Sequence, residues 1–132
     1  MGRSLLTVDL GNSAIKLRAW REGAQDRPEC LARADFEPQA FGSHELTRFL
    51  EAQGPFDLGA LSTVAEPGLS AAWLERTARH VRGELSADLD CGLDNRTLEP
   101  ERVGRDRLFA ARGALELLGS SAVVVGVVDP GV

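Results

Sequence analysis

Apolar and polar positions alternate most clearly near the amino end of the chain. Leu5-Leu6-Thr7-Val8 is an apolar, β-favouring run, and Asp9 to Ser13 is a polar break. From Ile15 to Trp20 the parity is strict, with Ile15, Leu17 and Ala19 on one side and Lys16, Arg18 and Trp20 on the other. Run, tight turn and period-two alternation predict a β-hairpin, because successive strand side chains point to opposite faces. Gly11 is expected to supply backbone dihedrals that other residues resist, and Asn12 and Ser13 are turn formers. Arg21 to Pro28 is a polar turn, and Cys30 to Phe36 reads as a third strand.

The pattern then changes period. Ser43 is suited to cap a helix that carries Leu46, Phe49 and Leu50 at helical spacing, with Gly54-Pro55 as its stop. Leu58 to Val64 reads as a short buried strand. Pro67-Gly68 is expected to break the chain before a helix from about Leu69 to Arg82, with Leu69, Trp73, Leu74, Ala78 and Val81 on one side. Ser86 to Leu93 is a marginal strand, and Asp94 to Arg102 is a polar connection. A helix from Gly104 to Leu118 is predicted to turn Leu108, Ala111, Leu115 and Leu118 inward, with Gly119 ending it. The β-branched run Ser121 to Val128 reads as a central strand buried on both faces. A β-meander followed by alternating helices and strands is a mixed α/β sheet with helices packed on it.

Composition narrows the class. The 132 residues are 43% hydrophobic and 27% charged, as in a globular domain with a real core. A net charge of −5 argues against a nucleic-acid surface. The Leu5 run is cut by Asp9 and lacks the apolar core of a signal peptide, and Ser121 to Val128 is too short to span a bilayer. These features point to a cytoplasmic protein without a membrane partner. Cys30 and Cys91 lie far apart with no CxxC, so two free thiols are expected. His44 and His80 are isolated, Trp20 and Trp73 suit packing, and Arg76, Arg79 and Arg82 read as a solvated helix face.

Two stretches carry chemistry. The bend between the first strands can cradle an anion, since consecutive backbone N–H groups form a concavity for one. Ser13 adds a hydroxyl, Asn12 an amide, and Lys16, the chain's single lysine, a point charge for phosphate. Asp9 repels phosphate but can hold a cation beside it. By spacing alone the same bend is equally an ordinary hairpin with a polar tip. The second stretch is Gly104-Arg105-Asp106-Arg107. Gly104 permits close approach of a ligand, Asp106 sits in a first helical turn where the dipole favours an anion, and Arg107 offers a fork for a carboxylate. A carboxylate beside a substrate hydroxyl can act as base in phosphoryl transfer, although a surface Asp–Arg pair at a helix start is the commoner arrangement.

Taken together, Asp9-x-Gly11-Asn12-Ser13-x-x-Lys16 and the later Gly104-x-Asp106-Arg107 resemble the first phosphate motif and the pantothenate motif of type III pantothenate kinase, an actin-like (ASKHA, ribonuclease-H-like) kinase family. Leu61-Ser62-Thr63-Val64-Ala65-Glu66-Pro67 is similar to a strand-end segment of that family. The resemblance implies ATP-dependent phosphorylation of pantothenate to 4'-phosphopantothenate, which opens coenzyme A synthesis. It implies that Asp9, Leu10, Gly11, Asn12, Ser13, Ala14, Ile15 and Lys16 line the ATP phosphates. Gly104, Arg105, Asp106 and Arg107 would contact pantothenate, with Asp106 accepting the hydroxyl proton. Val128-Asp129-Pro130-Gly131-Val132 would begin a second phosphate motif, in which Asp129 holds the monovalent cation and Val132 stands where the family has threonine. ATP, magnesium and potassium or ammonium are implied, as is a homodimer.

Family members are longer, so residues 1–119 are expected to form an N-terminal actin-like domain and residues 120–132 the first strand of a second one, largely missing. The chain is therefore read as incomplete or frameshifted near its end, and its own turnover as an open matter. A non-catalytic dimerising accessory or regulatory protein on the same fold is the alternative. A ribonuclease-H-like nuclease needs a cluster of carboxylates for paired metals, and only Asp9 is placed like one.

Overall fold

The computed structural model describes residues 2–86 and 90–119. The chain divides into two compact units, residues 1–88 and 89–132. The expected strand at 121–128, the expected second domain at 120–132, and Asp129 and Val132 lie outside the described residues.

The first unit is built on a five-stranded sheet. Its strands are β1 (Ser4–Leu10), β2 (Ile15–Glu22), β3 (Pro28–Phe36), β4 (Leu58–Thr63) and β5 (Leu85–Ser86). Helix α1 (His44–Gln53) joins β3 to β4, and α2 (Pro67–Ala78) joins β4 to β5. The strand order is β3-β2-β1-β4-β5. β1 pairs antiparallel with β2, and β2 with β3; β4 runs parallel to β1 and to β5. This is the mixed α/β sheet, opened by a meander and carrying helices, that the actin-like resemblance implies.

One parity of side chains makes the core. Leu6, Val8 and Leu10 of β1, Ile15, Leu17 and Ala19 of β2, and Leu61 of β4 are buried against Leu46 and Leu50 of α1 and Trp73 of α2. Burying each large apolar side chain contributes roughly 1.5–3 kcal/mol, so this face holds the unit together. The hairpin is longer than the polar pattern suggests. Asp9 and Leu10 belong to β1, because Asp9 points to the opposite face and pairs in register with Lys16. A single polar residue on the outer parity therefore does not end the strand.

Both helices of this unit begin with caps. Ser43 accepts the Leu46 N–H at 3.2 Å, as the sequence predicts. The second helix differs from expectation. Pro67-Gly68 opens α2 instead of interrupting the chain, and the helix ends at Ala78, short of Arg82. Pro67 fits the first helical turn, where its missing N–H costs nothing, and Glu66 caps the helix by accepting the Leu69 N–H at 3.1 Å. Beyond Ala78 the chain turns so that Val81 bridges Phe56.

Arg76 also departs from the expected solvated face. Its guanidinium lies 5.5 Å from the Phe41 ring centroid and donates to Thr47 Oγ1, with Nε buried. Phe41 comes from the turn before α1, a neighbour that helix periodicity alone does not reveal. Arg79 follows expectation, pairing with Glu75 at 3.0 Å on the surface.

Asp57 ties the start of β4 to β1. Its Oδ2 accepts from the Ser4 N–H at 2.8 Å and from Ser4 Oγ at 3.0 Å. These two bonds, the backbone one foremost, hold the Asp57 pKa below the usual carboxylate range. A carboxyl depressed in this way stabilises the fold above the ordinary aspartate range, and that stabilisation is lost as pH falls through the lowered value. Asp57→Asn should therefore flatten the acid limb of stability against pH. Urea midpoints measured across the acid range check this; parallel limbs for both proteins would contradict it.

In the second unit, α3 (Arg105–Leu118) follows a short 3-10 turn at Pro100–Arg102. Gly119 ends α3 at φ 69°, a left-handed conformation suited to glycine, as expected. The predicted inward stripe is not buried. Leu115 and Leu118 are 40% and 55% exposed, and among the described residues no α3 side chain is buried. Cys30 and Cys91 are both free thiols.

Candidate functional site

The sheet changes direction at β1, which has an antiparallel neighbour on one side and a parallel neighbour on the other. In open α/β sheets, ligands gather beyond the carboxyl ends of strands at such a switch point. Here β1 and β4 end side by side, held by the Val64 N–H donating to the Leu10 carbonyl at 3.0 Å. The bend Gly11–Ala14 projects from this end.

The bend is a four-residue hairpin loop, since the β1–β2 register closes on Leu10 and Ile15. The Gly11 N–H donates to the Ala14 carbonyl at 3.0 Å, so it belongs to the turn and not to the anion cradle. Gly11 is not in the left-handed region. Glycine is favoured there for space, because a Cβ would crowd the Ala14 carbonyl oxygen at 3.0 Å. The N–H groups that remain to face a ligand are those of Asn12, Ser13 and Ala14. Asn12 and Ser13 are exposed, and among the described residues their side chains have no hydrogen-bond partner. Leu10 and Ile15 are fully buried in the core, so only their backbone can approach a phosphate.

Lys16 is exposed and stands in register between Asp9 on β1 and Asp35 on β3. Asp35 is taken by Arg18, whose Nη1 lies 2.6 Å from its Oδ1. Among the described residues Lys16 forms no ion pair. Its ammonium is thus presented at the mouth of the bend as a point charge. Ser62 completes this row across the sheet as the β4 partner of Asp9. The strand-end segment that contains Ser62 was visible in the sequence, but its place beside Asp9 depends on a β1–β4 register that only the fold shows.

The second motif lies in the second unit. Gly104 is the N-cap of α3 at φ −61° and ψ 145°, a conformation open to any residue, so the dihedrals do not demand glycine. Asp106 sits in the first helical turn as predicted, and its Oδ1 accepts the Arg107 N–H at 2.9 Å. That leaves the other carboxylate oxygen for a substrate. Arg107 is exposed, and among the described residues no ion pair joins it to Asp106.

Among the described residues no three His, Cys, Asp or Glu side chains group to hold a metal. Magnesium does not need such a cage. It keeps several waters and binds through one or two carboxylates together with substrate phosphates, a donor set that the Asp9 carboxylate at the end of β1 fits. A cavity of about 160 Å³ at the other end of the sheet is lined by Arg3, Leu5, Trp20, Pro28 and Leu58 among others, and by none of the predicted site residues. Among the described residues no helix is long and apolar enough to cross a membrane.

Comparisons with known proteins point to one family. A family model described as type III pantothenate kinase matches residues 5–131. The type III pantothenate kinase of Janthinobacterium sp. (strain Marseille) is 32% identical over 131 residues, which cover 92% of this chain and 49% of that protein. The chain thus spans about half the length of this curated relative. A solved structure of Thermus thermophilus RuvC overlaps 58% of this chain and 56% of its own, at 11% identity and a TM-score of 0.44.

Proposed function

The chain belongs to the type III pantothenate kinase family, and on that premise we propose that it supplies the phosphate-binding and substrate-binding motifs for ATP-dependent phosphorylation of pantothenate to 4'-phosphopantothenate, in coenzyme A synthesis. The observation that carries this reading is the bend Gly11–Ala14 at the sheet's switch point, with Lys16 exposed beside it and, among the described residues, in no ion pair. In this reading the N–H groups of Asn12, Ser13 and Ala14, the Ser13 hydroxyl and the Lys16 ammonium bind the β- and γ-phosphates. Asp9 holds magnesium next to them. Magnesium, when bound, neutralises charge that develops on the transferred group.

Asp106 accepts the proton of the pantothenate hydroxyl. That oxygen forms its bond to the γ-phosphorus as the bond from phosphorus to the ADP oxygen breaks. Arg107 pairs with the pantothenate carboxylate, with Gly104 and Arg105 beside it. Asp129 binds potassium or ammonium, Val132 borders the phosphates, and the working protein is a cytoplasmic homodimer without nucleic-acid or membrane partners.

The test is ADP release from ATP with magnesium and potassium present, measured with and without pantothenate. Release should depend on pantothenate. Lys16→Gln should raise the KM for ATP by about 10- to 100-fold, the weight of a charged hydrogen bond. An unchanged KM would remove Lys16 from the phosphate site.

A further inference from the structure

The row of side chains across the bend end of the sheet contains one group that the fold does not explain. Parallel partners in register project to the same face, so Ser62 shares the face of Asp9, while Val8 and Leu61 point together into the core. Two other hydroxyls meet where β4 gives way to α2, Thr63 standing on the parity opposite to Ser62. Thr63 Oγ1 and Ser70 Oγ lie 2.7 Å apart, and Thr63 Oγ1 also accepts the Ala65 N–H at 3.1 Å. Those two are fully used in turning the chain. Ser62 Oγ is buried and, among the described residues, has no hydrogen-bond partner. Most buried polar side-chain atoms are partnered, and an exception calls for a cause such as a bound water or ion.

We propose that Ser62 is a positioning residue for the divalent cation that accompanies ATP, its hydroxyl orienting a water of that cation beside Asp9. This rests on the kinase reading above. Magnesium retains several waters when it binds through few carboxylates, and groups that hydrogen-bond to a metal's ligands fix their orientation. The geometry suits the role. Asp9 and Ser62 are neighbours across the β1–β4 ladder, and the Val64–Leu10 hydrogen bond fixes the two strand ends relative to each other. The hydroxyl can donate to or accept from a water, whereas an apolar residue of the same size could do neither.

Manganese is the probe, titrated into the protein with ATP and read by the electron-spin resonance of the free ion. Ser62→Ala should weaken manganese binding to the protein–ATP complex roughly tenfold or more, the usual effect of losing an outer partner of a metal site. ATP affinity in EDTA should be unchanged. The melting temperature should stay the same or rise, because a buried hydroxyl without a partner has been removed. Ser62→Thr keeps the hydroxyl and should recover manganese affinity. If Ser62→Ala binds manganese as tightly as the wild type while Asp9→Asn does not, this inference is overturned and the kinase reading stands. An equal loss of metal-free ATP affinity would make Ser62 structural and overturn it as well. If the wild type binds neither ATP nor manganese with ATP, both readings fall.

Discussion

Asp106→Asn should lower pantothenate-dependent ADP release by about 10²- to 10⁴-fold, the range that a positioned general base contributes. The substitution keeps size and shape. It also keeps the oxygen that accepts the Arg107 N–H at 2.9 Å, so the helix start survives. What it removes is the second oxygen's capacity to take a proton. ATP binding, assigned to the bend of the first unit, should persist at wild-type affinity in calorimetry. The loss should therefore fall on kcat with little change in the KM for ATP, which separates a failure of proton transfer from a failure of nucleotide binding. Equal rates for the two proteins would remove Asp106 from the chemistry, whatever the fate of the kinase assignment.

Trp73→Ala should cost about 3–5 kcal/mol of stability, as expected when a fully buried aromatic is truncated. Trp73 is 0% exposed and meets Phe41 edge-on, with ring centroids 5.7 Å apart at 67°. Phe41 in turn lies beneath the Arg76 guanidinium. Truncation empties a volume bounded by the sheet and by the turn before α1, and it removes the ring that Phe41 packs upon. Against a typical domain stability of about 5–15 kcal/mol, this approaches loss of the folded state. Trp73→Phe should cost clearly less, since it keeps an aromatic ring and discards a buried indole N–H that has no partner among the described residues. Urea unfolding of the three proteins gives the comparison. A cost below about 1 kcal/mol for the alanine variant would show that the indole is not part of the core.

The parts of the fold that could be read from the sequence are those fixed by local alternation. Ile15, Leu17 and Ala19 declared their buried face because a strand repeats every second residue, and Ser43 declared a helix start because its hydroxyl bonds to a residue three positions on. Pro67 is ambiguous in the sequence because proline both breaks helices and begins them, and the cap that decides, Glu66, is not among the residues most favoured for that position. Arg76 looked solvated because its neighbours Phe41 and Thr47 come from another part of the chain. The α3 leucines followed helical spacing, but spacing says only which residues share a side, not whether anything covers them.

The candidate site divides in the same way. Lys16 and the polar residues of the bend stand out by chemistry and order, although the bend begins at Gly11, two residues later than the polar pattern suggests. The use of the Gly11 N–H within the turn, the burial of Leu10 and Ile15, and the isolation of the Ser62 hydroxyl all depend on pairings between distant segments. No local pattern encodes those.

The β1–β4 ladder sets a sequence of events for the nascent chain. Residues 5–10 find their parallel partners only at 58–63, across the whole of the meander and α1. The hairpin can close early, because its contacts are near neighbours along the polypeptide, whereas the parallel pairing must wait for a far larger loop to be gathered. As the ribosome releases the first three strands, one border of β1 stands bare, an open template for any passing strand. Delay or mutation between positions 37 and 57 would prolong that exposure, so aggregation during synthesis should be governed by this intervening stretch more than by the strands it connects.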